Sequence, residues 1–484
     1  MSVTSQVYEA YSVINGKKQD GEATIIYNPS NLSKRVGVLY KVSSNVVEEA
    51  AKVARQSQLE WASLSGMKKG TTLENMAVKL EENIEEVATL ASSEMGKPIK
   101  EMKGEVARGI QLLRYYAAEG TRSDGDIIPS ADSQVHQYSK RVPLGVVGII
   151  TPWNFPVAIP IWKMAPALIC GNAIVWKPAK QATLTASKLM DIFQDVLPSG
   201  LINMLIGSGS QVGNTLIEKA KIDALSFTGS TATGMHVAST CASRNIKYQT
   251  EMGGKNVAVV LDDADLDQTV SAIISGAFTS AGQKCTATSR IVADKKIIPA
   301  LKERLQKAVA ELRVGEALNE LSFLGPVSSK NQYEKINEYI SLAKKEANIV
   351  AEVETIASDN DGYYIHPLIV DGIGSNHTLV QEEVFGPVAV ILEAEDFDEA
   401  IEIANNTDYG LSASIFTNDL NRSHQFLERS KVGMVRVNLE TAGVEYQAPF
   451  GGMKMSSSHT REQGQAALEF YSETKTCAIK HSFS

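Results

Sequence analysis

Between residues 146 and 243 the chain repeats one pattern four times: a short apolar run followed by a helical stretch. VVGIIT (146–151) precedes WKMAPALI, and AIVWK (173–177) precedes TLTASKLMDIFQDV. INMLIG (202–207) precedes VGNTLIEKAK, and ALSFTG (224–229) precedes TATGMHVASTCAS. Short, almost uniformly apolar runs are strands buried on both faces, and their alternation with helices predicts a parallel sheet covered on both sides. Ligands of such a sheet bind at the carboxyl ends of its strands. A second α/β series follows EMGGK, with NVAVVL (256–261), RIVA (290–293), helices near 298–312 and 330–347, VAVIL (388–392) and ASIFT (413–417). Upstream, residues 45–118 carry apolar side chains at helical spacing. QVHQYSKRV (134–142) and the tail LEFYSETKTCAIK alternate like half-exposed strands, which predicts a small sheet outside either core. An open edge there invites pairing with a second chain.

Composition narrows the class. With 484 residues, 43% hydrophobic and 21% charged, the chain has ample material for large cores and roughly three domains at about 150 residues each. A net charge of −9 offers no footprint for nucleic acid or an anionic membrane. The N-terminus shows no basic-then-apolar signal pattern. The most apolar stretch, Leu144 to Trp176, is broken by Pro152, Asn154, Pro156, Pro160, Lys163, Pro166 and Asn172, so buried core is expected rather than a membrane span. The four cysteines are far apart, with no CxxC and no histidine at metal spacing. Reduced thiols of a cytoplasmic protein are expected, with no disulfide framework and no metal.

Four polar clusters stand where a sheet of this kind holds its chemistry. In TPWNFP (151–156), Asn154 lies between prolines just past a strand, where a rigid amide can face an oxyanion or simply make a turn. In TEMGGK (250–255), Glu251 before two glycines is a candidate general base or a capping carboxylate. In AGQKCTATSR (281–290), Cys285 sits among polar residues, whereas Cys170 and Cys241 have small or apolar neighbours. A thiolate beside Lys284 at the start of a helical segment is expected to have a lowered pKa and to act as nucleophile. EEVFGP (382–387) makes a tight turn before a strand. GSGSQVG, with Gly207, Gly209 and Gly213, and FTGSTATG (227–234) offer backbone N–H groups to a pyrophosphate, and Lys177 at a strand end can reach a ribose or phosphate. Thiol, carboxylate, amide and nucleotide-binding sheet together describe one reaction. The thiolate attacks an aldehyde, the adduct gives hydride to nicotinamide, and water hydrolyses the thioester.

At these residues the chain resembles the aldehyde dehydrogenase superfamily along nearly its whole length, through PWNFP, WKPA, FTGS, EMGGK, GQKC, EEVFGP and PFGGMK (449–454) in that order. The resemblance implies an α/β fold with a Rossmann-type cofactor domain (1–121 and 144–253), an α/β catalytic domain (254–453) and a bridging β-element (122–143 and 466–484) that builds homodimers or homotetramers. It implies Cys285 as nucleophile, Glu251 as base, and Asn154 with the Cys285 N–H as oxyanion hole. It also implies Lys177 at the adenosine ribose, Gly229 and Ser230 at the pyrophosphate, Glu383 and Phe385 at the nicotinamide ribose, and Trp153 along the cofactor cleft.

Two departures bear on specificity. NAD-preferring members often carry a glutamate three residues after the WKP lysine; here it is Lys180, whose ammonium would attract a 2′-phosphate by ~1 kcal/mol. NADP is therefore expected as the preferred cofactor, with NAD also open. After PFGG the chain reads KMSSSHTREQG, similar to the KxSSxxxREQG form of the 2-oxoglutarate semialdehyde (2,5-dioxopentanoate) dehydrogenase subgroup. Succinate-semialdehyde enzymes usually carry an arginine shortly after NFP, where this chain has Trp162. Phe155, Trp162 and Phe450 are the pocket candidates, and their aromatic character leaves a broad aliphatic-aldehyde enzyme open. A thiol hydrolase or acyl transferase without redox chemistry would share Cys285 but need neither Lys177 nor Glu383, and a non-catalytic binding protein would need none of them.

Overall fold

The computed structural model describes residues 7–122 and 124–481; the parts of the expected divisions at 1–6, 123 and 482–484 lie outside these. The four strand–helix units form the heart of a large sheet. Its five parallel strands run in the order Lys247–Glu251, Ala224–Thr228, Val146–Ile150, Ala173–Lys177, Ile202–Met204. From Val146–Ile150 the chain steps outward twice on one side, then returns to build the other side. The strand order therefore reverses beside Val146–Ile150, and a crevice opens at the carboxyl ends there.

Past Ile202–Met204 the sheet continues into strands that local pattern does not reveal: Tyr8–Ile14, antiparallel to it, then Asn31–Lys41 and Glu22–Asn28. Residues 45–118 form four helices, Val46–Ser63, Gly66–Glu81, Ile84–Met95 and Ile99–Glu119. The helix Ala158–Ile169 is buried all round, and its start is satisfied by Glu105, which accepts from the N–H groups of Val157 and Ala158 at 2.8 and 3.1 Å.

The second sheet orders its strands Asn348–Glu352, Leu368–Asp371, Val388–Ala394, Thr288–Asp294, Asn256–Val260, Ser412–Phe416, Met434–Val437, all parallel except the first. It carries its own apolar core. The polar motifs of this half, GGK, GQKC and EEVFGP, stand at the amino ends of its strands, so this sheet meets the cleft with the opposite polarity from the first.

The two alternating segments pair with each other. Ser472–Lys480 runs antiparallel to Val135–Pro143 in unbroken register, and Ile127–Ile128 adds a short third strand. The tail segment divides, however: Ala467, Phe470 and Tyr471 are buried in the core of the first sheet, and the projecting strand begins only at Ser472.

Candidate active site

The carboxyl ends of Val146–Ile150 and Ala224–Thr228 deliver Trp153, Asn154, Gly229 and Ser230 to one cleft. The second sheet delivers Gly253, Cys285, Glu383 and Phe385 from the turns that enter its strands. Pro152, Ile159, Thr228, Met252, Gln332 and Lys335 complete the lining.

Cys285 lies in a turn that leads directly into the strand Thr288–Asp294, not at the start of a helix. Burial pushes its thiol up to about 12, with the charges of Glu383 and Glu251 adding to the rise; the N–H groups of Cys285 and Thr286 oppose it. The expected lowering by Lys284 is thus overturned. That ammonium points away, to the Ser275 carbonyl at 3.1 Å and to Thr279 Oγ1. Asn154 is buried, and its Nδ2 donates to the carbonyl of Gln283 at 2.9 Å, two residues before the thiol. One of its two N–H groups remains for a ligand.

Glu251 ends a buried strand and caps no helix. Its Oε2 accepts from Ser457 Oγ at 2.5 Å, while Oε1 is buried without a partner among the described residues. Burial, then the charge of Glu462, raises its pKa well above the usual carboxylate range; Ser457, Lys163 and Arg461 oppose this. Neither Lys163 nor Glu462 was expected at the site from the sequence. Lys163 is 0% exposed, pairs with Glu462 and donates to Ser226 Oγ at 2.8 Å. Trp162 Nε1 donates to the other Glu462 oxygen at 2.7 Å.

The serines of KMSSSH, read in the sequence only as a mark of the subgroup, have a structural part here. Ser456 accepts through its carbonyl from the Met252 N–H at 2.8 Å, and Ser458 Oγ from the Thr250 N–H at 2.9 Å. With Ser457 on Glu251, all three consecutive serines lace this segment onto the strand that carries the carboxylate.

Glu383 is held by the Gly254 N–H at 3.0 Å, and burial raises it to about 7. A Cβ at Gly253 would stand 2.4 Å from Glu383 Oε2, so a side chain there would push the carboxylate from its place. Phe385 adopts a left-handed φ of 56°, held by Gln332 Nε2 on its carbonyl at 2.8 Å, and meets Trp153 edge-on at 5.6 Å between centroids. Lys177 is buried with a single 3.3 Å bond to the Pro178 carbonyl, and desolvation lowers it to about 8. Thr228 Oγ1, at the cleft, is buried without a partner among the described residues. A lone ammonium, an orphaned hydroxyl, a carboxylate and a helix opening at Ser230 match the donors and acceptors of a dinucleotide. By contrast, the GSGSQVG turn caps itself, Ser208 Oγ accepting from Gln211 N at 3.1 Å. Lys180 is exposed on the short helical turn Lys180–Ala182.

Of the pocket candidates, Phe450 packs with Leu411 and Met434 against Cys285 and Val444, and Trp162 lies against Phe450 at 5.4 Å. Phe155 is half-buried against the first core, with the Lys97 ammonium 3.6 Å over its ring. Among the described residues no helix is long and apolar enough to cross a membrane.

Residues 17–477 match the aldehyde dehydrogenase family. The chain is 45% identical to alpha-ketoglutaric semialdehyde dehydrogenase of Bacillus subtilis (strain 168), covering 99% of this chain and 100% of that one. It is 38% identical to 2,5-dioxopentanoate dehydrogenase of Saccharolobus solfataricus, over 95% and 96% of the two chains. Among solved structures it is similar to betaine aldehyde dehydrogenase of Staphylococcus aureus in complex with NAD+, with a TM-score of 0.94, 30% identity and coverage of 98% and 95%.

Proposed function

Because the chain belongs to the aldehyde dehydrogenase family and oxidises aldehydes with NAD(P)+, we propose that its substrate is 2-oxoglutarate semialdehyde or a close semialdehyde, and that Cys285, Glu251 and Asn154 perform the chemistry. One observation carries the mechanistic part: a thiol, an amide and a ribose-type carboxylate meet in a single cleft between two sheets of opposite polarity. The substrate part rests on full-length similarity to two enzymes named for that substrate, and on the serine-rich segment that laces onto the Glu251 strand.

Cys285 attacks the aldehyde carbon through sulfur. Its proton passes to Glu251, whose burial raises the proton affinity of its carboxylate, while burial also keeps the thiol protonated until it attacks. Negative charge developing on the aldehyde oxygen is met by the free N–H of Asn154 and by the Cys285 backbone N–H. The chemistry that bound NAD(P)+ supplies is acceptance of a hydride. Lys177 would hold its adenosine ribose, Gly229 and Ser230 its pyrophosphate, and Glu383 and Phe385 its nicotinamide ribose. Once Glu251 has released the thiol's proton to solvent, it takes a proton from the water that opens the thioester. The acid leaves as the Cys285 sulfur departs and is reprotonated; Glu251 Oε1 has no other partner among the described residues.

Lys180 favours NADP, since no carboxylate stands there to repel a 2′-phosphate. We also read the chain as a cytoplasmic homo-oligomer, from its free cysteines and from the open projecting sheet.

The test is an absorbance assay with a panel of semialdehydes and unsubstituted aldehydes, each with NADP and NAD. The expected result is reduction fastest with the five-carbon oxo-semialdehyde. Equal rates across the panel would remove the substrate assignment, leaving a broad aldehyde oxidiser. Cys285→Ala should abolish turnover while still binding NADP; turnover near the wild-type rate would overturn its role. Lys180→Glu should move the NADP:NAD ratio of kcat/KM toward NAD by roughly fivefold, and an unmoved ratio would discard its part.

A further inference from the structure

Arg108 lies on the helix Ile99–Glu119, and its guanidinium is inserted between that helix and the segment leading to Phe450. Its Nη2 donates to the carbonyl of Val444 and, at 3.1 Å, to Gln463 Oε1. Its Nε is buried without a partner among the described residues. Both acceptors are neutral. Glu105 and Glu445 act on it electrostatically, but neither pairs with it among the described residues: Glu105 pairs with Lys97 at 2.6 Å, and Glu445 accepts from the Gln447 amide. Arg108 is therefore a largely desolvated cation with no ion-pair partner among the described residues, an arrangement that costs stability unless something else requires it.

The position of this charge is informative. Val444, whose carbonyl it holds, belongs with Leu411, Met434 and Phe450 to the small apolar cluster that packs on Cys285. A cation without an ion-pair partner thus holds the backbone of a residue in the cluster that packs on the thiol, on the side formed by Phe450. An arginine fork with donors unused is the group that binds a carboxylate in two-point fashion.

We propose that Arg108 receives the carboxylate of the substrate and thereby selects a semialdehyde bearing a distal anion over a neutral aldehyde of the same length. This rests on the semialdehyde reading above and names the residue behind it. The alternative role for Arg108 is a strap that ties the helix to Val444.

Three forms of the enzyme separate these: wild type, Arg108→Met, and Arg108→Gln, whose amide can still donate to the Val444 carbonyl but carries no charge. The readout is the ratio of kcat/KM for 2-oxoglutarate semialdehyde to that for pentanal, with inhibition of the pentanal reaction by glutarate as a second measure. The expected result is a wild-type ratio well above one that falls roughly 10- to 100-fold in both variants, mostly through KM, with glutarate inhibition weakened in step. A strap predicts the reverse: Arg108→Gln keeps the wild-type ratio, and Arg108→Met loses both substrates equally or fails to fold. Either outcome overturns the proposal. A wild-type enzyme that does not prefer the anionic substrate removes the semialdehyde reading itself, before any variant is made.

Discussion

Glu383 and Lys177 differ from ordinary surface charges in that burial has moved both toward neutrality, the carboxyl up to about 7 and the ammonium down to about 8. If Glu383 holds ribose hydroxyls, it does so as a carboxylate. Cofactor affinity is then complete above pH 7 and falls as pH drops through that value, by about tenfold in Kd per unit. Lys177 works in the other direction, losing its charge as pH rises through 8. NADP should bind most tightly between about 7 and about 8, measured by calorimetry across that range. Glu383→Gln should flatten the acid limb while leaving the alkaline one, and an acid limb that survives the substitution would assign it elsewhere. These residues were legible because Lys177 ends a strand beside Pro178 and Glu383 belongs to the EEVFGP turn that enters one, both within a short local motif. Lys163 and Glu462 were not. They lie 299 positions apart, and each reads locally as an ordinary charge; only the fold brings them together beside Glu251.

At the scale of one element, the helix Ile99–Glu119 does more for the site than its amphipathic pattern suggests. Glu101, Glu105 and Arg108 follow one another at four- and three-residue spacing, so they share a face. Glu105 caps the helix after NFP, and Glu101 accepts from Ser280 N at 3.0 Å and Ser280 Oγ at 2.6 Å. That clamp sits on strained backbone: Ser280, Ala281 and Gly282 have φ of 56°, 53° and 68°, leading into Gln283 and the thiol. Two of these are not glycine, and such conformations cost about 1–3 kcal/mol each unless held. Glu101→Ala should lower kcat/KM by roughly tenfold and slow alkylation of Cys285 by iodoacetamide, while Glu101→Gln, which keeps an acceptor for Ser280, recovers most of both. A fall in Tm with unchanged alkylation would reduce Glu101 to a stabilising contact. The helices of 45–118 were readable because their periodicity is local. The strands at 8–41 were not: Lys17–Gln19 and Glu22–Asn28 are largely exposed, and their strand identity comes from partners rather than from their own pattern.

For the whole molecule, alternation of strands and helices was enough to anticipate both sheets, but not that they face the cleft with opposite ends. That relation depends on how residues 254–256 turn from one sheet into the other, and nothing in a local window records it. The projecting sheet shows the same limit from the other side. Its two long strands were recognisable as alternating, yet most of Ser472–Lys480 is exposed, and Ile127 and Ile479 are 80% and 53% exposed. Three strands with wet faces and no core of their own are marginal in water. Ser472–Lys480 has one paired edge, to Val135–Pro143, and one open edge. Covering by a second copy would supply the missing burial. Replacing Ile127 and Ile479 together by glutamate should therefore raise the dissociation constant of the assembly by roughly tenfold or more for each isoleucine that becomes buried there. Light scattering coupled to gel filtration should show the wild type as a multiple of the single-chain mass, with the double variant shifting to a smaller species on dilution. A wild type that already elutes at the mass of one chain would mean that this sheet meets water on both faces and that its stability comes from the Ser472 end alone, where Arg141 Nη1 and Leu468 O hold the Ser472 hydroxyl at 3.1 and 2.5 Å.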